Sequence, residues 1–224
     1  MESAPSSSRA GPIPKEAHKR DSAATRQRIL DAARAAFAEH GFTGARVESI
    51  ARASRANVQM IYRYFGNKED LYLAALADTY ARVRGHEQQL DLPAHAPREG
   101  IRRLVEFTFD YLNDNPEFVA IIRNENVLGG QFARRVLAVS ESTRSLLGAI
   151  DDLLRRGRHS GEFTAPVDAR HLYVAILSLC MLHQTQRSTL SVMLEVDLGA
   201  SDWLADHRRI AVDVILSYLT APRR

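Results

Sequence analysis

The stretch VESIARASRANVQMIYRYFGNKEDL, residues 47–71, decides the fold of this chain. Val47 and Ile50 are three residues apart, which is the spacing of one helical face, and Asn57 stands where a second short helix would begin. Asn is among the best N-caps because its side-chain oxygen accepts a backbone N–H. Two short helices joined by a tight turn are the sequence form of a helix-turn-helix DNA-binding motif.

The second of these helices is predicted to have a buried and an exposed side. Ile61 and Phe65 are four residues apart, so we expect both to pack into the core. The side chains left to project elsewhere are Gln59, Met60, Arg63 and Tyr64. A face of this composition can meet a DNA groove.

The charge of the chain is unevenly distributed. Residues 1–65 contain 11 Lys and Arg against 6 Asp and Glu, whereas residues 66–224 contain 19 against 21. Between His40 and Lys68 the only acid is Glu48. The bases of this segment are Arg46, Arg52, Arg55, Arg63 and Lys68. Charged helices are often merely solvated, so the basic field supports phosphate contacts only together with the cap and the apolar spacing.

Length and composition bound the remaining possibilities. The 224 residues leave room for a small DNA-binding domain and a second unit of about 150 residues. The sequence shows neither a signal-peptide core nor the roughly 20 apolar residues of a membrane span. A single cysteine, Cys180, excludes an intrachain disulfide and favours a reducing compartment. We therefore expect a cytoplasmic protein that does not contact membranes, with Cys180 as a small core residue.

Composition and the positions of Gly and Pro indicate how the chain is divided into segments. Residues 1–21 are rich in Ser, Pro and Ala with scattered bases, so we interpret them as a disordered basic arm. A helix-turn-helix domain is expected over residues 22–66. Its first helix should run from Ser22 to His40 and end at Gly41. Its buried stripe would be Ile29, Ala33 and Phe37.

Residues 67–224 are expected to form a helical domain joined to the first through a helix over residues 67–85. That helix would begin at an Asn67 cap, with Asp70 completing a capping-box-like arrangement, and would transmit displacements between the domains. The further helices are predicted at residues 98–115, 116–126, 132–158, 168–187 and 201–220. Because no segment has strand periodicity, the class is all-α.

The last two predicted helices are candidates for a homodimer interface. Residues 172–182 and 210–219 are nearly apolar all round, and such helices must be covered all round. Two of them from each of two chains would form a four-helix interface, and a helix-turn-helix protein needs two copies to address two half-sites. The alternative is that both helices lie in the core of a monomer.

A small-molecule site is the other expectation for the second domain. Leu104, Phe107 and Tyr111 share one helical face, and residues 123–126 form a polar cluster nearby in sequence. Apolar walls with a few polar groups describe a ligand pocket. Its candidate residues are Phe107, Tyr111, Arg123, Asn124, Tyr173 and His183. The same residues also have ordinary interpretations, as core aromatics, helix caps and an interface histidine, and they do not reveal the identity of an effector.

Several motifs in the first 76 residues resemble those of the TetR family of transcriptional regulators. They are Phe37, Gly41 and Phe42, the Ile50–Ala51 pair, IYRYF at residues 61–65 and NKEDL at residues 67–71. The similarity covers roughly residues 24–76, and beyond it the chain is only loosely similar to the pyrimidine and aromatic-acid pathway repressors of that family. The resemblance implies a three-helix DNA-binding domain, a larger ligand-binding and dimerisation domain, and repression of a palindromic operator in double-stranded DNA.

The resemblance also places the DNA contacts. We predict that Val58, Gln59 and Met60 face base edges. Phosphate contacts are predicted for Arg46, Tyr62 and Lys68, and the set of DNA-binding residues also includes Asn57, Arg63 and Tyr64. Two arguments conflict at Val58. Its spacing to Ile61 predicts that it is buried, whereas the register of the family motif predicts that it is exposed and can contact a thymine methyl group. We favour exposure.

Two departures from the family pattern are present. Arg55 stands where the turn usually has Gly, which would carry strain if the backbone there needs a positive φ. Ala45-Arg46 replaces a usual Thr or Ser pair, so a hydroxyl cap is lost. These changes keep open a ligand-binding or scaffold protein with a degenerate DNA-binding domain.

A helical-bundle enzyme is the other alternative. No H-E-x-x-H, C-x-x-C, P-loop or G-x-G-x-x-G motif is present, and the eight His are scattered. We therefore predict that the chain is not an enzyme, with no catalytic residues, no metal and no cofactor.

Overall fold

The computed structural model describes residues 15–221, without the side chains of residues 15–20 and 137–142. It has ten α-helices and two short 3₁₀ turns, and no strand lies within those residues, so the all-α prediction is confirmed. The helices are α1 Lys15–Gly44, α2 Val47–Ala53, α3 Val58–Phe65, α4 Lys68–Gln88, α5 Pro97–Asp114, α6 Pro116–Val127, α7 Leu137–His159, α8 Ala169–Thr185, α9 Arg187–Leu194 and α10 Ser201–Thr220. None of them combines the length and the hydropathy that a membrane span requires.

Helix α1 begins earlier than the sequence predicted. It starts at Lys15 rather than at Ser22, so residues 15–21 of the expected arm are helical, and the first 14 residues lie outside the described part of the chain. The predicted end at Gly41 is a kink, because Gly41 has φ 66° and ψ −179° within the helix. The predicted stripe is buried, with Ile29, Ala33 and Phe37 each 0% exposed.

The first hydrophobic core joins the three N-terminal helices to the start of α4. Ile50 of α2, Ile61 of α3 and Leu71 of α4 are fully buried against the stripe of α1. The same core also contains residues of the second domain, namely Ile121 of α6 together with Phe132 and Val136 beyond it. The two domains are therefore packed together through α6, and the core does not stop at residue 66.

Helix α4 begins at the cap that the sequence predicted. The Asn67 side chain accepts a hydrogen bond from the backbone N–H of Asp70 at 2.9 Å, which caps the helix start. The helix continues to Gln88, three residues past the expected end at Gly85. Its 21 residues span about 32 Å at 1.5 Å per residue. One end of α4 thus adjoins the recognition helix and the other lies in the second domain.

The second domain has its own hydrophobic core, built by α5, α7, α8 and α10. Leu104, Ile150, Ile176 and Ile215 represent the four helices in it. Cys180 is fully buried there, which agrees with its predicted core role. Burial raises the pKa of its thiol to about 12, because removal from water disfavours the thiolate.

Several elements of the second domain differ from the sequence prediction. The segment predicted as one helix over 132–158 contains a 3₁₀ turn, Ala133–Arg135, followed by α7 from Leu137. Leu92–Ala94 is a second 3₁₀ turn within the predicted loop. Helix α9 was not predicted, and no side chain in it is buried.

Candidate DNA interface and effector region

The turn between α2 and α3 contains a left-handed backbone conformation at Arg55, the position where related sequences usually have Gly. Arg55 has φ 53°, so the position does require the left-handed region that Gly adopts freely. The turn is held by the backbone N–H of Ala56, which donates to the carbonyl of Ala51 at 2.9 Å, and by the Ser54 hydroxyl, which donates to the carbonyl of Ile50 at 2.8 Å. These bonds keep the helix-turn-helix geometry despite the missing Gly.

The recognition helix, α3, has the predicted cap and the predicted buried side. The Asn57 side chain accepts a hydrogen bond from the N–H of Met60 at 2.7 Å, while Ile61 and Phe65 are 0% and 8% exposed. The opposite side presents Gln59, Tyr62 and Arg63, which are exposed. The helix is therefore anchored on one face and free on the other, as insertion into a major groove requires.

Three of the residues that we expected to project from α3 are only half-exposed. Val58 is half-buried and packs against the first core, so it is neither exposed, as we favoured, nor fully buried, as its spacing to Ile61 suggested. Tyr64 is also half-buried, and its hydroxyl forms a 2.9 Å hydrogen bond with that of Ser22 on α1. Met60 is half-buried too, at the edge of the exposed side.

The predicted phosphate-binding side chains surround α3. Arg46 precedes α2 as its N-cap residue but makes no side-chain cap hydrogen bond, and its side chain is exposed. Lys68 begins α4, where its ammonium donates to the carbonyl of Thr43 at 3.2 Å and lies 5.1 Å from the Phe42 ring centroid. Within the described residues, no ion pair neutralises Arg46, Arg55 or Lys68. A solvent-facing positive field suits a phosphate backbone.

The predicted effector residues only partly converge. Phe107 and Tyr111 of α5 and Tyr173 of α8 line one small cavity of about 20 Å³ with Phe118. The ring centroids of Phe107 and Tyr111 are 5.5 Å apart, and those of Tyr111 and Phe118 are 5.8 Å apart. Phe107, Tyr111 and Phe118 therefore form one wall, and Arg84 and Glu87 of α4 also line this cavity.

The two α4 residues in that cavity were not among the sequence candidates. Arg84 and Glu87 are only 8% and 6% exposed and form an ion pair with each other. Burial raises the pKa of Glu87 despite the neighbouring guanidinium, since removal from water disfavours the carboxylate. A larger cavity of about 170 Å³ lies against the same pair on the side of α7.

Comparison with known proteins identifies the chain. A family model described as "Tetracyclin repressor-like, C-terminal domain" matches residues 97–215, and one described as "Bacterial regulatory proteins, tetR family" matches residues 29–75. The chain belongs to the TetR family of transcriptional regulators. The similarity noted in the first 76 residues thus extends through the second domain.

Named relatives of this TetR-family chain are regulators of transcription. It is 37% identical over 184 residues to the HTH-type transcriptional repressor NicS of Pseudomonas putida, which covers 80% of this chain and 87% of NicS. It is 30% identical over 160 residues to the HTH-type transcriptional regulator RutR of Escherichia coli, with coverage of 68% and 70%. These relatives make the chain a DNA-binding transcriptional regulator and point away from an enzyme.

Solved structures support the fold. The crystal structure of the transcriptional regulator FadR from Bacillus subtilis in complex with stearoyl-CoA aligns with a TM-score of 0.64 and 20% identity. The alignment covers 86% of this chain and 98% of that chain. At this identity the likeness concerns the arrangement of the helices of the TetR family.

Three of the predicted effector residues lie apart from the aromatic wall. The Asn124 amide is occupied, because its Nδ2 donates to the carbonyls of Phe37 and Ala38 on α1 at 3.0 and 3.1 Å. Arg123 is exposed on a different surface cavity beside α8 and α9. In this TetR-family protein Asn124 therefore contacts the DNA-binding domain, and Glu125 beside it accepts a hydrogen bond from the Tyr72 hydroxyl of α4.

His183 is the third residue that lies apart. Its ring stacks on Phe109 at 5.1 Å and lies 5.3 Å from the His207 ring, in a cluster between α5, α8 and α10. Neither ring nitrogen of His183 has a hydrogen-bond partner among the described residues. Burial lowers the pKa of His183 to about 4, since the uncharged ring is favoured away from water.

Proposed function

We propose that the chain is a homodimeric, ligand-responsive repressor that acts in the cytoplasm and occupies a palindromic operator, where it blocks polymerase access. The observation that carries this proposal is the recognition helix. Gln59, Tyr62 and Arg63 project from a helix whose opposite side, Ile61 and Phe65, is buried. A helix held in this way can present side chains to base edges and to phosphates without reorganising on binding.

The proposed contacts follow from exposure. Gln59 is exposed in the first turn of α3, and the amide of Gln can form two hydrogen bonds with adenine. Met60 and Val58, both half-buried, would add apolar contact at the groove wall. Arg46, Tyr62 and Lys68 would hold phosphates, with Asn57 at the helix start and Arg63 toward its end. Tyr64 contributes less, because it faces Ser22.

Two copies are proposed to associate through α8 and α10. Among the described residues, every large exposed apolar side chain except Tyr62 and Val127 lies between residues 174 and 218. Those of α8 and α10 are Val174, Leu182, Ile210, Val214 and Tyr218. The three on α10 are four residues apart and form one stripe. A stripe of this kind, repeated by a two-fold axis, buries apolar surface on both copies.

The proposed switch uses α4. An effector held against Arg84 or Tyr173 would displace the C-terminal part of this helix, and the helix begins at Lys68 beside α3. The separation of the two recognition helices in the dimer would then no longer match the spacing of the two half-sites. Such coupling amounts to about 1–3 kcal/mol, so the effector should weaken operator binding roughly 5- to 150-fold, with an equal reciprocal effect.

The proposal is tested by selection of duplexes from a random-sequence DNA library with the purified chain. We expect an enriched inverted repeat, and sedimentation of the resulting complex should give two protomers per duplex or a multiple of two. A pool without enrichment would refute sequence-specific binding, and one protomer on an asymmetric site would refute the dimeric arrangement. A degenerate DNA-binding domain predicts the first of these outcomes.

A further inference from the structure

A surface cleft lies where α6 meets the junction of α8 and α9. Its volume is about 420 Å³, which falls within the range of about 300–1,000 Å³ of small-molecule sites. Its lining comes from the end of α5, from α6, from the end of α8 and from the first residue of α9. The cleft shares no lining residue with the cavities against α4, so it is a separate candidate site.

The charged side chains of the cleft are cationic. Arg123 of α6 and Arg187 of α9 are exposed, and both line it. Within the part of the chain that the structure describes, no Asp or Glu is among the lining residues. Arg187 is paired at 2.9 Å with Asp197, which lies outside the lining, whereas Arg123 forms no ion pair with a described residue. An anion is therefore favoured in the cleft, and a cation is disfavoured.

Hydrogen-bond donors are available in the same cleft. The Arg123 guanidinium and the Asn113 amide make no hydrogen bond among the described residues, and both side chains are exposed to solvent. Arg187 uses one terminal nitrogen for Asp197, so its remaining N–H groups can also donate. The planar fork of a guanidinium matches the two oxygens of a carboxylate, and such charge-assisted pairs are stronger than neutral hydrogen bonds.

Part of the wall of the cleft is apolar. Val119 is only 6% exposed, and Pro116 and Ala120 line the cleft beside it. A simple inorganic anion would leave this surface in contact with water, whereas the apolar body of an organic anion would cover it. Apolar walls with a few polar groups that fix the orientation of a ligand are typical of small-molecule sites.

We propose that this cleft binds a small organic acid. Its carboxylate accepts hydrogen bonds from Arg123 and Asn113, and Arg187 adds positive charge from the start of α9. The apolar body of the acid lies against Pro116 and Val119. The ligand thereby links α6 to α9, two helices that belong to different sides of the cleft.

Helix α6 connects this site to the DNA-binding domain. Arg123 is followed by Asn124, whose amide donates to the carbonyls of Phe37 and Ala38 on α1. Ile121 of the same helix is buried in the first core. A ligand that shifts α6 therefore shifts a helix that packs on α1. The acid is thus a second effector of the regulator, a role that rests on the proposed function.

Titration calorimetry of the full chain with three probes of similar shape tests the charge preference. At pH 7, 3-phenylpropionate is an anion, 3-phenylpropanamide is neutral and 3-phenylpropylamine is a cation. We expect the carboxylate to bind at least tenfold more tightly than the other two. Equal binding of the three, tighter binding of the amide or the amine, or no binding of the carboxylate would overturn the proposal.

Inorganic phosphate is a fourth probe, which carries negative charge without an apolar body. It should bind at least tenfold more weakly than 3-phenylpropionate, because it leaves the wall of Pro116 and Val119 uncovered. Phosphate binding as tight as that of the carboxylate would refute the organic body of the ligand.

Two variants localise the site. Arg123→Gln removes the charge, and Asn113→Asp places a carboxylate in the cleft without changing the size of the side chain. Both residues are exposed, so we expect both variants to fold and to bind 3-phenylpropionate at least tenfold more weakly. Arg98→Gln is the matched control, at an exposed arginine of α5 outside the cleft, and should change nothing. Unchanged affinity in both cleft variants would place the ligand elsewhere.

The outcome is separable from that of the proposed function. Calorimetry is done without DNA, and operator selection is done without ligand. A palindrome obtained from a chain that does not bind 3-phenylpropionate removes the ligand site alone. With a selected operator, saturating 3-phenylpropionate should change the affinity of the wild type at least fivefold and leave that of Arg123→Gln unchanged. Equal operator affinity of the wild type with and without the acid would refute the effector role.

Discussion

Asn124 should stabilise the junction between the two domains rather than bind an effector. Its amide donates to the carbonyl oxygens of Phe37 and Ala38, just before the helical geometry of α1 breaks at Gly41. Carbonyl groups at the end of a helix lack partners within the helix, so a side-chain donor satisfies them. Asn124 of α6 thus caps α1 from outside.

The magnitude follows from the two hydrogen bonds. Each contributes a net of about 0.5–1.5 kcal/mol, so Asn124→Ala should lower the free energy of unfolding by roughly 1–3 kcal/mol. In a protein of this size 1 kcal/mol corresponds to a shift of about 2–4 °C in Tm. Asn124→Asp should destabilise more, because a carboxylate would face carbonyl oxygens at the negative end of a helix dipole.

Urea unfolding followed by circular dichroism measures this effect. Arg123→Ala is the matched control, since Arg123 is the exposed neighbour and makes no polar contact within the described residues. The reasoning is refuted if Asn124→Ala and Arg123→Ala have equal stability.

Two further predictions concern α8 and α10. Val214→Asp places a charge in the apolar stripe of α10 and should convert the proposed dimer to monomers in sedimentation. Val127→Asp, at an even more exposed valine of α6, should not, and dimers in both variants would contradict the interface. In the folded protein the pKa of His183 is lowered to about 4, against about 6.5 in the unfolded chain. Between these two pKa values the unfolded chain binds the proton more readily, so the free energy of unfolding falls as the pH falls, by up to about 1.4 kcal/mol per pH unit. His183→Phe should lose less stability than the wild type between pH 7 and pH 5 in urea unfolding, and parallel losses would contradict the assignment.

The recognition helix could be predicted because its signals are local. The Asn57 cap and the spacing of Ile61 and Phe65 lie within nine residues, and each determines its own neighbourhood. The same holds for Asn67 at the start of α4. Val58 was harder to predict, since the arguments for burial and for exposure were both partly correct and its half-buried position depends on how α3 packs against the first core.

Helix α9 was missed because little in its own sequence specifies a helix. The segment RSTLSVML is rich in Ser, Thr and β-branched residues and has no side-chain N-cap bond. It is held by contacts to the following loop, where Arg187 pairs with Asp197 at 2.9 Å and the Ser191 hydroxyl accepts from the N–H of Leu198. These contacts cannot be inferred from helical periodicity.

The effector region was predicted only in part for a related reason. The wall of Phe107 and Tyr111 follows from the spacing on one helix, but the roles of Asn124 and Arg84 depend on distant partners. The partners of Asn124 lie 86 and 87 residues earlier in the chain. An Arg and a Glu three residues apart usually lie on a solvated face. Here α5 and α7 pack against α4, and Tyr173 of α8 lies against the Arg84 guanidinium, so this pair is buried.

Base reading by the exposed side of α3 is the central claim of this account, and the DNA motif selected by Gln59→Ala tests it most directly. Gln59→Ala should relax the preference at one or two positions in each half-site, because an amide that distinguishes base edges is lost. Lys68→Ala removes a predicted phosphate contact, so it should keep the selected motif and weaken binding to all sequences alike. The slope of log K against log salt concentration should become shallower by about 0.9. If Gln59→Ala selects the same motif with the same base preferences as the wild type, the recognition helix does not read DNA through this face.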